Sequence, residues 1–248
     1  MMKDGNFGST GKQKMNILAI DSSSNTLSVV LETETQMFHD EIDKVYGHSE
    51  YLMECADALC KSAGIRPSDL SMVACMQGPG SFTGLRIGFS TAKGIALALG
   101  IPLIAVPTLD CIAHSFSTQP GLILPLLDAK RSCFFAAFYR NGERLTDFLD
   151  THPVELIKIM QKIMISVDEP VLLTGAGAKL FYSHLEASPQ EDFSITKNIN
   201  LDNKFASGRA IELLKIAKND KLNMTSVIDG APVYLRKSDA ELNCKKDG

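Results

Sequence analysis

Three short stretches carry residue types able to hold a phosphate or a hydrated metal. Asp21-Ser22-Ser23-Ser24 closes an apolar run; turn hydroxyls and amides suit oxyanions, and a strand-end carboxylate suits magnesium through water. A plain polar β-turn explains the same residues, since the turn lacks the glycine that close phosphate approach favours. Gln77-Gly78-Pro79-Gly80-Ser81-Phe82-Thr83-Gly84-Leu85-Arg86-Ile87-Gly88 follows a second apolar run and opens a third, rich in Ala, Gly and Leu. A strand, a tight turn and a helix start whose free amides could cradle an anion are legible in it. Gly175-Ala176-Gly177 follows another strand-like run and could meet a phosphate or adenine in the same way, or be an ordinary strand-to-helix turn.

None of these matches a standard motif. Gly78, Gly80 and Gly84 are spaced too widely for G-x-G-x-x-G, and Pro79 intrudes. Ser81 lacks the flanking glycines of a nucleophile elbow, having Pro79 and Thr83 instead. Gly8-Ser9-Thr10-Gly11-Lys12-Gln13 is too short for a P-loop, and no strand precedes it. The histidines, His39, His48, His114, His152 and His184, form no H-x-x-x-H or H-E-x-x-H pair. No catalytic residue and no metal ligand set emerges. The rival expectation is an active phosphotransferase or ATPase built on Asp21, Asp128 and Gly175–Gly177.

The elements that must position these residues follow in order. Asn16–Ile20, Thr26–Glu32 and Gln36–Ile42 read as an antiparallel meander. A helix follows from Ser49, as N-cap, to Ala63, with Leu52, Cys55, Ala56, Leu59 and Cys60 on one face and Gly64 as C-cap. After a strand at 71–77 comes the helix from Gly84 to Leu99, then a strand at 101–107 and a short helix at 110–116. Thr118-Gln119-Pro120-Gly121 reads as a linker. Leu122–Leu127 then ends in Asp128 much as the first strand ends in Asp21. A hairpin about Asn141-Gly142, a helix from Pro153, a strand at 170–174 and an amphipathic helix at 206–217 follow. The repeated strand, Asp-turn and hairpin suggests a duplicated α/β architecture. The expected divisions are a disordered leader at 1–14, a first domain at 15–118, a second at 119–225 and a tail at 226–248.

Along the helix at 84–99, Gly84, Gly88, Ala92 and Ala96 recur every fourth residue, with Ser90, Gly94 and Ala98 as a second small row. Such rows let another backbone come close, either the chain's own sheet or a partner helix. Arg86 and Lys93 leave a surface for the second option. The 248-residue chain has a formal charge of −4, which gives no basic excess for independent nucleic-acid binding. Its six cysteines form no C-x-x-C pair and read as buried thiols of a reducing compartment. No apolar run reaches membrane-spanning length, and the leader has no signal-peptide core.

Met15–Ser23, His48-Ser49-Glu50, Gly78–Gly88, Thr91-Ala92-Lys93-Gly94, Leu126-Leu127-Asp128-Ala129 and Pro232-Val233-Tyr234-Leu235-Arg236 together resemble the TsaB family, also called YeaZ. The resemblance covers roughly residues 15–240. It implies a two-domain actin-like (ribonuclease H-like) α/β fold with mixed sheets. It also implies a non-catalytic, cytoplasmic subunit for forming threonylcarbamoyladenosine at position 37 of tRNAs that read codons starting with A. The implied partners are a TsaD-type catalytic subunit, a TsaE-type ATPase and, through them, tRNA, with a homodimer when the partner is absent. ATP or ADP and metal would belong to the partners, and this chain would need no cofactor. Carried over, the interface falls on the helices at 49–63 and 84–99: His48, Tyr51, Leu52, Cys55, Leu59, Gly84, Arg86, Gly88, Ala92 and Ala96. A vestigial anion site would comprise Asp21, Ser22, Ser23, Gly78, Gly80, Ser81, Gly175 and Gly177. The chain departs from the family after Asp128-Ala129: members usually continue Arg-Arg and a Glu-Val-Tyr-like strand, whereas Lys130-Arg131-Ser132-Cys133-Phe134-Phe135 stands here, so no role for that Glu transfers.

Overall fold

The structure, a computed structural model, describes residues 15–43, 47–164, 169–187, 198–202, 208–219 and 230–236. The leader at 1–14 and the tail beyond Arg236 lie outside the described residues. The first unit begins with β1 (Ile17–Asp21), β2 (Thr26–Glu32) and β3 (Met37–Asp43). It continues through α1 (His48–Ser62), β4 (Met72–Gly78), α2 (Phe82–Leu99) and β5 (Leu103–Pro107). The sheet order is β3-β2-β1-β4-β5. β1 pairs antiparallel with β2 and parallel with β4. Both faces of β1 are covered, which is why its sequence is a continuous apolar run. The edge strand β3 instead alternates between exposed and half-buried residues.

The second unit repeats this plan. It contains β6 (Leu122–Asp128), β7 (Phe134–Ala136), β8 (Tyr139–Arg140), β9 (Glu143–Arg144), β10 (Leu149–Thr151), β11 (Val171–Thr174) and β12 (Ile199–Leu201). The main path is β10-β7-β6-β11-β12, again two antiparallel steps followed by two parallel ones. β1 and β6, β4 and β11 thus occupy equivalent places in a duplicated α/β fold. Asn141 and Gly142 turn the β8–β9 hairpin with φ of 52° and 80°, the left-handed pair that a two-residue loop requires.

Helices complete the layers. α1 and α2 cover one face of the first sheet through Leu52, Leu59, Phe89 and Ala92. α4 (Pro153–Met164) and α5 (Ala178–Ala187) cover one face of the second through Leu156, Met160 and Phe181. Each such large apolar side chain contributes about 1.5–3 kcal/mol on burial. α3 (Thr108–His114) covers the inner face of the second sheet with Leu109 and Ile112. α6 (Ala210–Asn219) packs Ala210, Leu213, Leu214 and Ala217 on the inner face of the first. Sequence order had put α6 with the second domain; its apolar stripe instead covers the second face of β1, β2 and β4, so the chain crosses back to the first unit. A second correction is local. Gly47, left-handed at φ 103°, starts α1 and accepts from the Glu50 amide, so Ser49 lies inside the first turn and is not the cap.

Candidate functional site

The strand-end Asp21 is 2% exposed, so its carboxylate must be satisfied internally. The Ser23 amide and hydroxyl donate to its Oδ1 at 3.0 and 2.6 Å. The Arg209 amide, at the start of α6, donates to Oδ2 at 2.8 Å. Ser22 turns away and donates its hydroxyl to the Gly84 carbonyl at 2.8 Å. The Ser81 amide donates to the Ser23 carbonyl at 2.7 Å, and the Ser81 hydroxyl caps α2 by accepting from the Gly84 amide at 3.3 Å. Asp21, Ser22, Ser23, Gly80 and Ser81 are therefore brought together, and they bond mainly to one another.

The glycines explain how. A Cβ at Gly80 would stand 2.5 Å from the Ser23 carbonyl oxygen; at Gly84 and Gly88 it would strike Ser22. At Gly78, with φ 110°, it would meet the Val233 carbonyl oxygen. The small-residue ridge of α2 thus faces the chain's own β1 turn and sheet. Gly84, Gly88, Ala92 and Ala96 are buried there, as are His48, Leu52, Cys55 and Leu59 of α1. Of the ten interface residues named from sequence, Arg86 is exposed and Tyr51 half-buried. This corrects the surface: periodic small residues announce a close neighbour but not which one. The outward faces carry Met53, Glu54, Asp57 and Ala58 on α1, and Thr83, Arg86, Ser90, Gly94, Leu97 and Ala98 on α2. Met53 and Leu97 are about half exposed, at 53% and 54%.

The second strand-end carboxylate, Asp128, accepts from its own neighbour's amide and ammonium, Lys130 N and Nζ, both at 2.7 Å. Lys130, Arg131 and Ser132 run consecutively through the left-handed region at φ 62°, 54° and 57°, a conformation that costs energy for non-glycine residues. Gly177 donates its amide to the Leu126 carbonyl at 2.8 Å, and a Cβ at Gly175 or Gly177 would collide with the β6 backbone. Those two glycines serve strand-to-strand approach, the turn reading of Gly175-Ala176-Gly177. Asp21 is closed by Ser23 of its own turn and by the Arg209 amide, whereas Asp128 is met by Lys130 of its own loop.

Between the loops lies a cleft of about 640 Å³, lined by Ser23, Ser24, Gly80 and Ser81 on one side and Asp128, Lys130 and Arg131 on the other. A strap, residues 230–236, closes one flank. Val233 donates to the Gln77 carbonyl at 2.7 Å, and the Tyr234 ring packs on Phe82 at 4.9 Å. The Arg86 guanidinium lies 3.9 Å from the Phe82 ring centre. Arg236 then forks onto Asp150 of the second unit at 2.8 and 2.5 Å.

Two connecting groups carried no sequence signal. Arg209 binds Asp21 by its amide and Asp202 by its guanidinium, at 2.9 Å, so it ties the two units together. His114 Nδ1 lies 2.5 Å from Glu212 Oε1, joining α3 to α6. The other histidines have separate partners: His39 with Ser28, His48 with the Asn25 carbonyl, His152 with the Ser132 carbonyl, and His184 against Phe134. Among the described residues, no group of three or more His, Cys, Asp or Glu is arranged to hold a metal. No helix among them is long and apolar enough to cross a membrane.

Comparison with known proteins agrees with this architecture. The family model described as "TsaD: tRNA N6-adenosine threonylcarbamoyltransferase" matches residues 45–244. The tRNA threonylcarbamoyladenosine biosynthesis protein TsaB of Bacillus subtilis is 32% identical over 173 residues, 69% of this chain and 76% of that protein. The protein of the same name from Escherichia coli is 33% identical over 132 residues, 52% of this chain and 57% of that one. A solved structure of YeaZ from Pseudomonas aeruginosa superposes with a TM-score of 0.69 at 24% identity, covering 89% of this chain and all of that one.

Proposed function

Since the chain belongs to the TsaB (YeaZ) family of tRNA threonylcarbamoyladenosine biosynthesis proteins, we propose that it is a non-catalytic subunit, supporting a TsaD-type transferase that carries out the chemistry. The observation that carries this reading is the closure of Asp21. A strand-end carboxylate serving a hydrated metal would keep its oxygens open to the cleft; here its oxygens accept from Ser23 and from the Arg209 amide. Opening it would cost several charge-assisted hydrogen bonds in a buried setting.

The partner surface in this proposal is the outward side of α1 and α2. Met53 and Leu97 supply apolar contact, and Gly94, whose Cβ position has nothing within 4 Å, permits close approach of a second helix. Without the partner, the same surface would pair two copies of this chain. Recruitment of a TsaE-type ATPase, indirect engagement of tRNA position 37 and a cytoplasmic site of action complete the proposal. The test is reconstitution of tRNA modification from purified subunits, with and without this chain. Modification should require it; full activity in its absence would overturn the reading. A second reading, nucleotide binding without turnover, is favoured by the open cleft between the Ser81 and Lys130 loops. Calorimetry with ATP and magnesium tests it: heat without hydrolysis supports it, and no heat removes it.

A further inference from the structure

Four cysteines of the described residues are locked away. Burial pushes the Cys60, Cys75 and Cys111 thiols up, and burial with Asp40 pushes Cys55 up to about 11. Cys133 is buried as well, at 9% exposed, but it sits in a polar turn. It closes the left-handed turn, its amide donating to the Lys130 carbonyl and its carbonyl accepting from Ala129, both at 3.0 Å. The exposed His152 ring stands over its sulfur, with Nε2 at 3.7 Å and Nδ1 at 3.8 Å. The Arg236 guanidinium, which donates to the Ala129 carbonyl of the same turn at 3.3 Å, lies close enough to interact electrostatically with the same sulfur.

A thiol, an imidazole and a fixed guanidinium form a set that none of them makes alone. His152 can take the thiol proton, and Arg236 can stabilise a negative sulfur or the oxygen added to it. The exposed His152 opens the cluster to solvent. Arg236 itself is held by Asp150, so its position does not depend on the sulfur.

We propose that Cys133, with His152 and Arg236, is an oxidative modification site that takes hydrogen peroxide as its co-substrate. His152 accepts the thiol proton. The thiolate then attacks one peroxide oxygen, so that an S–O bond forms and the O–O bond breaks. The sulfur is oxidised by two electrons to a sulfenic acid. The leaving hydroxide takes the proton back from the imidazolium and departs as water. The new oxygen lies toward Arg236, the residue that fastens the strap to the second unit, so the modification alters the flank of the cleft.

The test uses the full chain, hydrogen peroxide as oxidant, a cyclic 1,3-diketone as sulfenic-acid trap, and peptide mapping to read each cysteine separately. Cys133 should be trapped at least about tenfold faster than Cys55, Cys60, Cys75 or Cys111. His152→Gln should slow Cys133 trapping several-fold while leaving the melting temperature unchanged. Trapping of Cys133 no faster than Cys75, or a His152→Gln variant trapped at the wild-type rate, overturns the proposal.

Discussion

The ends of β1 and β6 occupy equivalent positions in a duplicated fold and face the same cleft, yet they are built oppositely. At the first, Asp21 is buried, its oxygens are filled by Ser23 and Arg209, and Gly80, Gly84 and Gly88 let the turn and α2 interlock backbone to backbone. At the second, Asp128 is half-exposed and accepts from Lys130, and three non-glycine residues hold left-handed angles beside open space. The same strand-end carboxylate has become a joint in one half and a turn former in the other. Duplicated architecture preserves where the loops lie, while packing decides whether a loop still has room for a ligand. The glycine-rich motif, which looked most like a phosphate loop, belongs to the closed end.

The most severe way to break this comparison is to force a side chain into the interlocked end. Gly88→Leu should cost about 3 kcal/mol or more, because Ser22 and the β1 turn behind it cannot withdraw without breaking the Asp21 network. Thermal denaturation reads the effect; an unchanged melting temperature would mean that the ridge faces outward. Next, Asp21→Asn should cost about 2–3 kcal/mol, since an amide nitrogen would face donors now served by a carboxylate. Asp128→Asn should stay within about 0.5 kcal/mol, as a surface turn does. Equal losses in urea titrations of the two variants would erase the distinction between the ends.

A smaller effect appears at alkaline pH. With the folded Cys55 thiol pushed up to about 11 from 9.0, both states are protonated below pH 9 and stability there is intact. Between pH 9 and 11 the unfolded chain loses its proton first, so stability falls as pH rises. Replacing Cys55 with Ala should flatten that fall, measured as melting temperature against pH relative to the same variant at pH 7. The mildest change sharpens the contrast between the two rows of α2. Gly94→Ala meets nothing within 4 Å and should stabilise the helix by about 0.8 kcal/mol.

Much of the frame was legible because apolar runs, Asp-turns and the Asn-Gly hairpin are local signals. The β1, β2, β4 and β6 strands, the two small-residue rows and the duplication follow from such signals. β12 did not, being only Ile199–Leu201 and recognisable by its pairing with β11. Nor did the home of α6, whose stripe fits either sheet until the crossing through Arg209 and Glu212 is fixed by contacts across the chain. The candidate site was legible as a list of residues and misread as an arrangement. Gly84 and Gly88 announce close approach by their spacing, but Ser22, the group that approaches, lies 62 residues from Gly84. Arg209 fills Asp21 from 188 residues away, and no periodicity or motif marks it.

The central claim is that this chain works through its outer α1–α2 surface and not through the strand-end carboxylates. It is tested most directly by the rate of tRNA threonylcarbamoylation in a reconstituted mixture containing a TsaD-type subunit and either the Leu97→Glu or the Asp128→Asn variant of this chain. The account predicts that Leu97→Glu, which folds normally, loses at least about tenfold of the rate, equivalent to an interface loss of about 1.4 kcal/mol, while Asp128→Asn retains it. Full rate with Leu97→Glu and loss with Asp128→Asn would contradict it.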